Sequence, residues 1–149
     1  MLYDLSKLPL ATQQAIEKDY FEMFSTFPKR LFSIGQDTKT VKGEELNVLT
    51  GIMYLAPYKL SGVNVCAMAD VAKCHEGCLN TAGRGQFTSN QMARLRKTLF
   101  FQQYSGVFQV LLQKEIDRLE RKAQRMNMTP MIRLNGTSDI RWEKEIPHI

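Results

Sequence analysis

The chain has no long hydrophobic run. No stretch of its 149 residues approaches the roughly 18 consecutive apolar positions that a membrane-spanning helix needs, so no membrane contact is expected. The start, Met1-Leu2-Tyr3-Asp4, lacks a basic segment running into an apolar one, and no secretory signal is expected. These absences place the protein in the cytoplasm, where thiols stay reduced. Cysteine is scarce, with three residues, and an odd number cannot pair completely. Compartment and count together argue against a structural disulfide. There is no low-complexity tract and no internal repeat, which excludes solenoids and arrays. Two Asn-x-Thr sequons, at Asn127 and Asn135, carry no glycosylation reading without a signal.

What remains is ordinary globular composition, 44% hydrophobic and 23% charged, in a chain of about one domain. The expected organisation is a single domain over residues 1–149, with an N-terminal helix and polar loop in 1–46 and a cysteine-bearing β-α-β unit in 47–149. Net charge is +5, which is compatible with a polyanionic partner. The basic residues are spread along the chain. Between Lys114 and Arg125 they alternate with Glu115, Asp117 and Glu120, a pattern that reads as a solvated helix face.

Apolar spacing at Ala15, Ile16, Phe21, Phe24 and Phe27 predicts a helix over residues 10–26, stopped before Pro28. "SIGQDTKTVKGEEL" reads as a loop, or a loop with a short hairpin. "NVLTGIMYLAP" is a continuous apolar run, which suits a strand buried on both faces. A long helical segment follows. Thr88 or Ser89 is the expected cap, Met92, Leu95 and Leu99 form one stripe, and Phe108, Leu112, Ile116, Leu119, Ala123 and Met126 form another. Ser105-Gly106 marks a kink or junction between them. Met131, Ile132 and Leu134 then predict a second buried strand. Ser138 or Asp139 is the expected cap of a closing helix through Trp142 and Ile146.

The expected fold is therefore α/β and helix-rich, built on a parallel β-α-β unit. In such units functional groups sit just beyond the C-terminal ends of the strands. Both unusual segments of this sequence follow that rule. Cys66, Cys74 and Cys78 come after the first strand, and Asn135-Gly136-Thr137-Ser138-Asp139 comes after the second.

The cysteine spacing is C-x7-C-x3-C. It predicts Cys74 and Cys78 one turn apart on a helix, with Cys66 folding back from the preceding loop. Three thiolates can hold an iron–sulfur cluster, or zinc with a fourth ligand from elsewhere. Equally, free cysteines among alanines pack as small hydrophobes. His75 reads as a surface residue or a support to the ligands, not a ligand. Gly83-Arg84-Gly85 resembles an anion-binding loop ahead of a helix N-terminus, or is only a turn. Asn135, Thr137, Ser138 and Asp139 either form a turn or present polar groups to a ligand.

Taken together, "GIMYLAPYKLSG", the three-cysteine segment, "CLNTAGRG", "ARLRKT" and "RLNGTSDIRWE" resemble an uncharacterised family of bacteriophage-encoded proteins, over residues 47–143. Members of that family are in turn similar to radical S-adenosylmethionine enzymes, which are partial or full (β/α) barrels. The resemblance implies a barrel fragment and a cytoplasmic location in an infected bacterial host. It also implies a [4Fe–4S] cluster on Cys66, Cys74 and Cys78, with S-adenosylmethionine near Arg84, Asn135, Thr137, Ser138 and Asp139. Two departures accompany it. The superfamily's usual spacing is C-x3-C-x2-C, and the resembling proteins are longer, so the chain is expected to be a truncated, split or minimal form. Two strands cannot close a barrel.

The leading expectation is an iron–sulfur protein of unknown substrate, its enzymatic status open. One alternative is a small basic, non-catalytic protein that binds nucleic acid, or a host or phage protein, through Arg84, Arg94, Arg96 and Lys97. The other is a zinc-stabilised structural module.

Overall fold

The apolar run Asn47–Pro57 forms the centre of the molecule. In a computed structural model, residues 27–35 and 38–148 are described, together with Leu10 and Gln14. The helix expected over residues 10–26 lies outside the described residues apart from those two.

A first strand, β1, spans Phe32–Ile34. Helix α1, Thr38–Glu44, leads to β2, Val48–Met53. The cysteine segment follows, with a single helical turn α2 at Ala69–Ala72 and two 3₁₀ turns at Leu79–Thr81 and Gly83–Gln86. The long crossover consists of α3, Thr88–Gln103, and α4, Ser105–Arg125. Strand β3, Thr129–Arg133, and the short α5, Trp142–Glu145, close the described chain.

The sheet order is β1-β2-β3. β2 and β3 are parallel, with Val48 opposite Thr129 and Ile52 opposite Arg133. This is the expected β-α-β unit, with α3 and α4 as the crossover. β1 is antiparallel to β2, with Phe32 opposite Met53. The sheet is therefore mixed, and the likeness to a (β/α) barrel reaches no further than β2 and β3.

The helical stripes explain the core. Leu95 and Leu99 of α3, and Phe108, Leu112, Leu119 and Ala123 of α4, are buried. Phe108 and Leu112 cluster with Met53 and Leu55, and Leu119 and Ala123 with Leu49, from β2 and its exit. A buried side chain of this size contributes about 2 kcal/mol. The junction falls where Ser105-Gly106 placed it. Tyr104 leaves helical geometry at φ −133° and ψ 50° and separates the two helices.

Several expectations fail for identifiable reasons. The "loop" before β2 contains α1, because local polarity hid a seven-residue helix that packs against β2. β3 is exposed along all five residues, with Met131 52% and Ile132 37% accessible. It is an edge strand, not a buried one, and Pro130 is tolerated there. Phe87, not Thr88 or Ser89, occupies the N-cap of α3, with no side-chain cap bond. Arg141 takes that place in α5, so neither Ser138 nor Asp139 caps it. Met126 is exposed at the end of its stripe.

Candidate functional site

Beyond β2 the chain continues through buried Leu55, Ala56 and Pro57 to Tyr58. Beyond β3 it continues through Leu134 into Asn135–Asp139. The two exits run side by side. Cys66 and Asp139 form an isolated parallel bridge, and the Asp139 N–H donates to the Val65 carbonyl at 2.8 Å. The two segments singled out in the sequence therefore meet at one edge.

Cys66 sits at that joint, half-buried. Its Sγ accepts the Tyr58 N–H at 3.1 Å and donates to the Thr137 carbonyl at 3.7 Å. Burial pushes the Cys66 thiol up. The Tyr58 and Asp139 backbone N–H groups pull it down, and the nearby thiols of Cys78 and Cys74 push it further up. Those two cysteines do not share a helix. α2 stops at Ala72, where Lys73 turns into the left-handed region at φ 52°. Cys74 is exposed, on the turn that follows, and Cys78 is half-buried, just beyond it at the N-cap of the next 3₁₀ turn. The predicted helical pair fails because Lys73 takes the C-cap.

His75 is held within the fold. Its Nδ1 lies 2.9 Å from the Ala69 carbonyl. Its ring stacks on Tyr58, centroids 4.9 Å apart. The Tyr58 hydroxyl donates to Asp70, and Lys59 lies 3.5 Å from the same carboxylate. These groups hold Asp70 below the usual carboxylate range, the Tyr58 bond being the largest cause. A cavity of about 210 Å³ opens here, walled by Tyr58, Lys59, His75, Glu76 and Cys78. Among the described residues no group of three His, Cys, Asp or Glu is arranged so that it could hold a metal ion.

The Asn135 loop is different. Asn135 Oδ1 accepts from the Ser138 hydroxyl at 3.0 Å, the Ile140 N–H at 3.2 Å and the Trp142 indole at 2.9 Å. Its Nδ2 donates to the Ile140 carbonyl at 2.9 Å. The Thr137 hydroxyl donates to the Leu55 carbonyl at 2.5 Å. The Gly136 N–H donates to the Met53 carbonyl at 3.0 Å. A Cβ on Gly136 would stand 2.6 Å from that carbonyl oxygen, so only glycine lets the loop dock on the end of β2. Asn135, Thr137 and Ser138 thus spend their polar groups inside the fold. The Asp139 side chain is exposed.

Gly83-Arg84-Gly85 is a turn locked from within. Gln91 is buried and donates to the Asn80 carbonyl at 2.7 Å and to the Gly85 carbonyl. Asn80 donates back to Gln91 at 2.8 Å, and Arg94 donates to the Asn80 carbonyl at 2.7 Å. A Cβ on Gly85 would come within 2.4 Å of the Asn80 oxygen.

The four basic residues considered as one contact surface are dispersed. Lys97 is buried and donates to the Leu31 carbonyl at 2.9 Å. Burial, then the charge of Arg94, lowers it to about 8, against a pull upward from Glu115. Arg94 lies over the Tyr54 ring at 5.3 Å. Arg96 is half-buried, and Arg84 is exposed. Glu115 completes this clamp on β1. It accepts from the Leu31 and Phe32 N–H groups at 3.2 and 3.4 Å and pairs with Arg30 at 3.0 Å.

Sequence reasoning missed Tyr58, Asp70, Asn80 and Gln91. Tyr58 had a signal, because "APYK" directly follows the apolar run and falls under the strand-end rule. Asn80 and Gln91 had none, since buried amides look like loop and helix-surface residues in sequence.

No helix among the described residues is long and apolar enough to cross a membrane. Neither the curated proteins nor the solved structures match the chain. A family model described as Gene product 88 matches residues 29–149, more than three-quarters of the sequence and every element described above, which agrees with the expected bacteriophage-encoded family. The chain belongs to the Gene product 88 family.

Proposed function

We propose that the protein binds a metal centre through Cys66, Cys74 and Cys78, and that this centre is an iron–sulfur cluster. The observation that carries the reading is the setting of Cys66. Its sulfur lies where the exits of two parallel strands meet and takes a backbone N–H from Tyr58, the residue that walls the same cavity as Cys78. Burial raises this thiol, and the backbone N–H groups of Tyr58 and Asp139 offset part of that rise in favour of the thiolate that metal binding requires.

The donor set suits the group. Three soft thiolates fit iron–sulfur or zinc chemistry, and the segment carrying Cys74 and Cys78 needs to close toward Cys66 around the ion because the thiols are not already gathered as a ligand set. A bound cluster would supply electron transfer and leave one iron without a protein ligand. The chain's own part is to hold Cys66 against the strand exits and to tune its sulfur with the Tyr58 and Asp139 amides. S-adenosylmethionine has less behind it, because Asn135, Thr137 and Ser138 are consumed by internal bonds.

The test is anaerobic purification with iron, sulfide and zinc analysis and a visible spectrum. Iron and sulfide in about equal amounts with broad visible absorption support the cluster. Zinc without sulfide moves the reading to a structural zinc module. Colourless protein with neither metal, also after anaerobic reconstitution with iron and sulfide, overturns it.

A further inference from the structure

The outer face of α4 segregates its charges. Helical geometry turns each residue about 100°, so Lys114, Arg118, Arg121 and Arg125, at steps of four, three and four, fall within an arc of about 60°. They line about 16 Å of helix. All four are exposed. The buried residues Phe108, Leu112, Leu119 and Ala123 occupy the opposite side. The acids that alternate with the bases in sequence do not interrupt the stripe. Glu115 turns inward to β1, Glu120 points to one flank, and Asp117 beside it is engaged by Gln113 at 2.8 Å.

We propose that this stripe docks on the phosphate backbone of a nucleic-acid duplex. Charge complementarity selects a polyanion, and the chain's net charge of +5 adds long-range attraction. Three of the four groups are guanidiniums, whose forks match phosphate oxygens. The stripe carries no aromatic side chain, so it offers nothing for unpaired bases to stack on. That favours a duplex over a single strand and contacts that position without reading sequence. The proposal stands apart from the metal centre.

Lys114 and Arg121 carry the test, because among the described residues neither enters an ion pair, whereas Arg118 pairs with Glu115. Fluorescence anisotropy with a labelled mixed-sequence duplex at about 50 mM salt is expected to show binding that weakens steeply as salt rises. The variant Lys114→Glu/Arg121→Glu is expected to lose tenfold or more in affinity, with the salt slope reduced by about two. Its circular dichroism and melting should match the parent. Lys29→Glu, at an exposed position off α4, is the control and should bind like the parent. Four results would each overturn the proposal: no binding by the parent, equal binding by the double variant, tighter binding of a single strand of the same sequence, or binding of anionic vesicles in place of the duplex.

Discussion

The segments that follow β2 and β3 occupy equivalent places, yet one is closed and the other open. After β3, the Asn135 side chain makes four hydrogen bonds to partners three to seven residues on, and Thr137 and Gly136 fasten the loop to β2 and its exit. After β2, Cys74 stands exposed and Cys78 faces a cavity. Position at a strand end is therefore not sufficient to mark a site. The better criterion is whether the chemistry there is already spent. By it, the Asn135 loop is scaffold whose Asp139 backbone bridges to Cys66, and the cysteine segment is the half left open.

The largest effect should come from breaking the closed half. Asn135→Ala removes the only described partner of the Trp142 indole, which is buried beside Phe108. It also frees the Ile140 amide. A buried donor left without an acceptor costs about 1–3 kcal/mol, and two such groups bring the expected loss to roughly 3 kcal/mol. Chemical denaturation measures it. A loss below about 1 kcal/mol would mean that the loop's bonds are replaced by water, and the contrast between the halves would fail.

A second test uses Lys97, the clearest case of a group that looked available in sequence and is spent in the fold. Its proton is held at about 8, against an ordinary 10.5. Below pH 8 both folded and unfolded chains carry it. Between about 8 and 10.5 the unfolded chain keeps the proton and the folded one has released it. Unfolding then takes up a proton, so stability rises with pH across that window. The rise is worth roughly 3 kcal/mol. Lys97→Met should lack it. The Cys66 thiol, raised by burial, works in the opposite direction, but it does so in both proteins and cancels in the difference. Parallel pH profiles for the two proteins would show that Lys97 is solvated.

The fold was legible where it depends on patterns in one stretch of chain. The apolar run 47–57 gave β2, the stripes from Phe108 to Ala123 gave the buried side of α4, and Ser105-Gly106 gave the helix junction. It was illegible where the decision is tertiary. Met131 and Ile132 read as core, but among the described residues β3 has no strand on its outer side. Lys97 and Glu115 read as surface charges, but each meets the backbone of β1. The site divides in the same way. That Cys66 and the Asn135 segment share an edge followed from the β-α-β pattern. That the Asn135 loop is consumed and Cys74 is not depends on contacts 3 to 82 residues apart that no spacing encodes.

The smallest effect in stability should come from the open half, and it is the most informative about function. Cys74 is exposed and lies on a turn beyond α2. Cys74→Ser in the metal-free protein should change stability by less than about 0.5 kcal/mol, as for other exposed positions without a packing role. The same thiol should be alkylated by iodoacetamide faster than Cys66, whose burial keeps it protonated and shielded. If the three thiols share a metal, loading it should protect Cys74 and Cys66 together, and Cys74→Ser should abolish loading while leaving the metal-free fold intact. A variant that unfolds without metal present would show that Cys74 serves packing, and the distinction between a closed and an open half would then be lost. Equal alkylation rates for Cys74 and Cys66 would point the same way, because a shared rate requires that Cys66 be as accessible as the turn. A thiol that is cheap to replace, quick to react and silenced by iron is one the fold has left for a ligand.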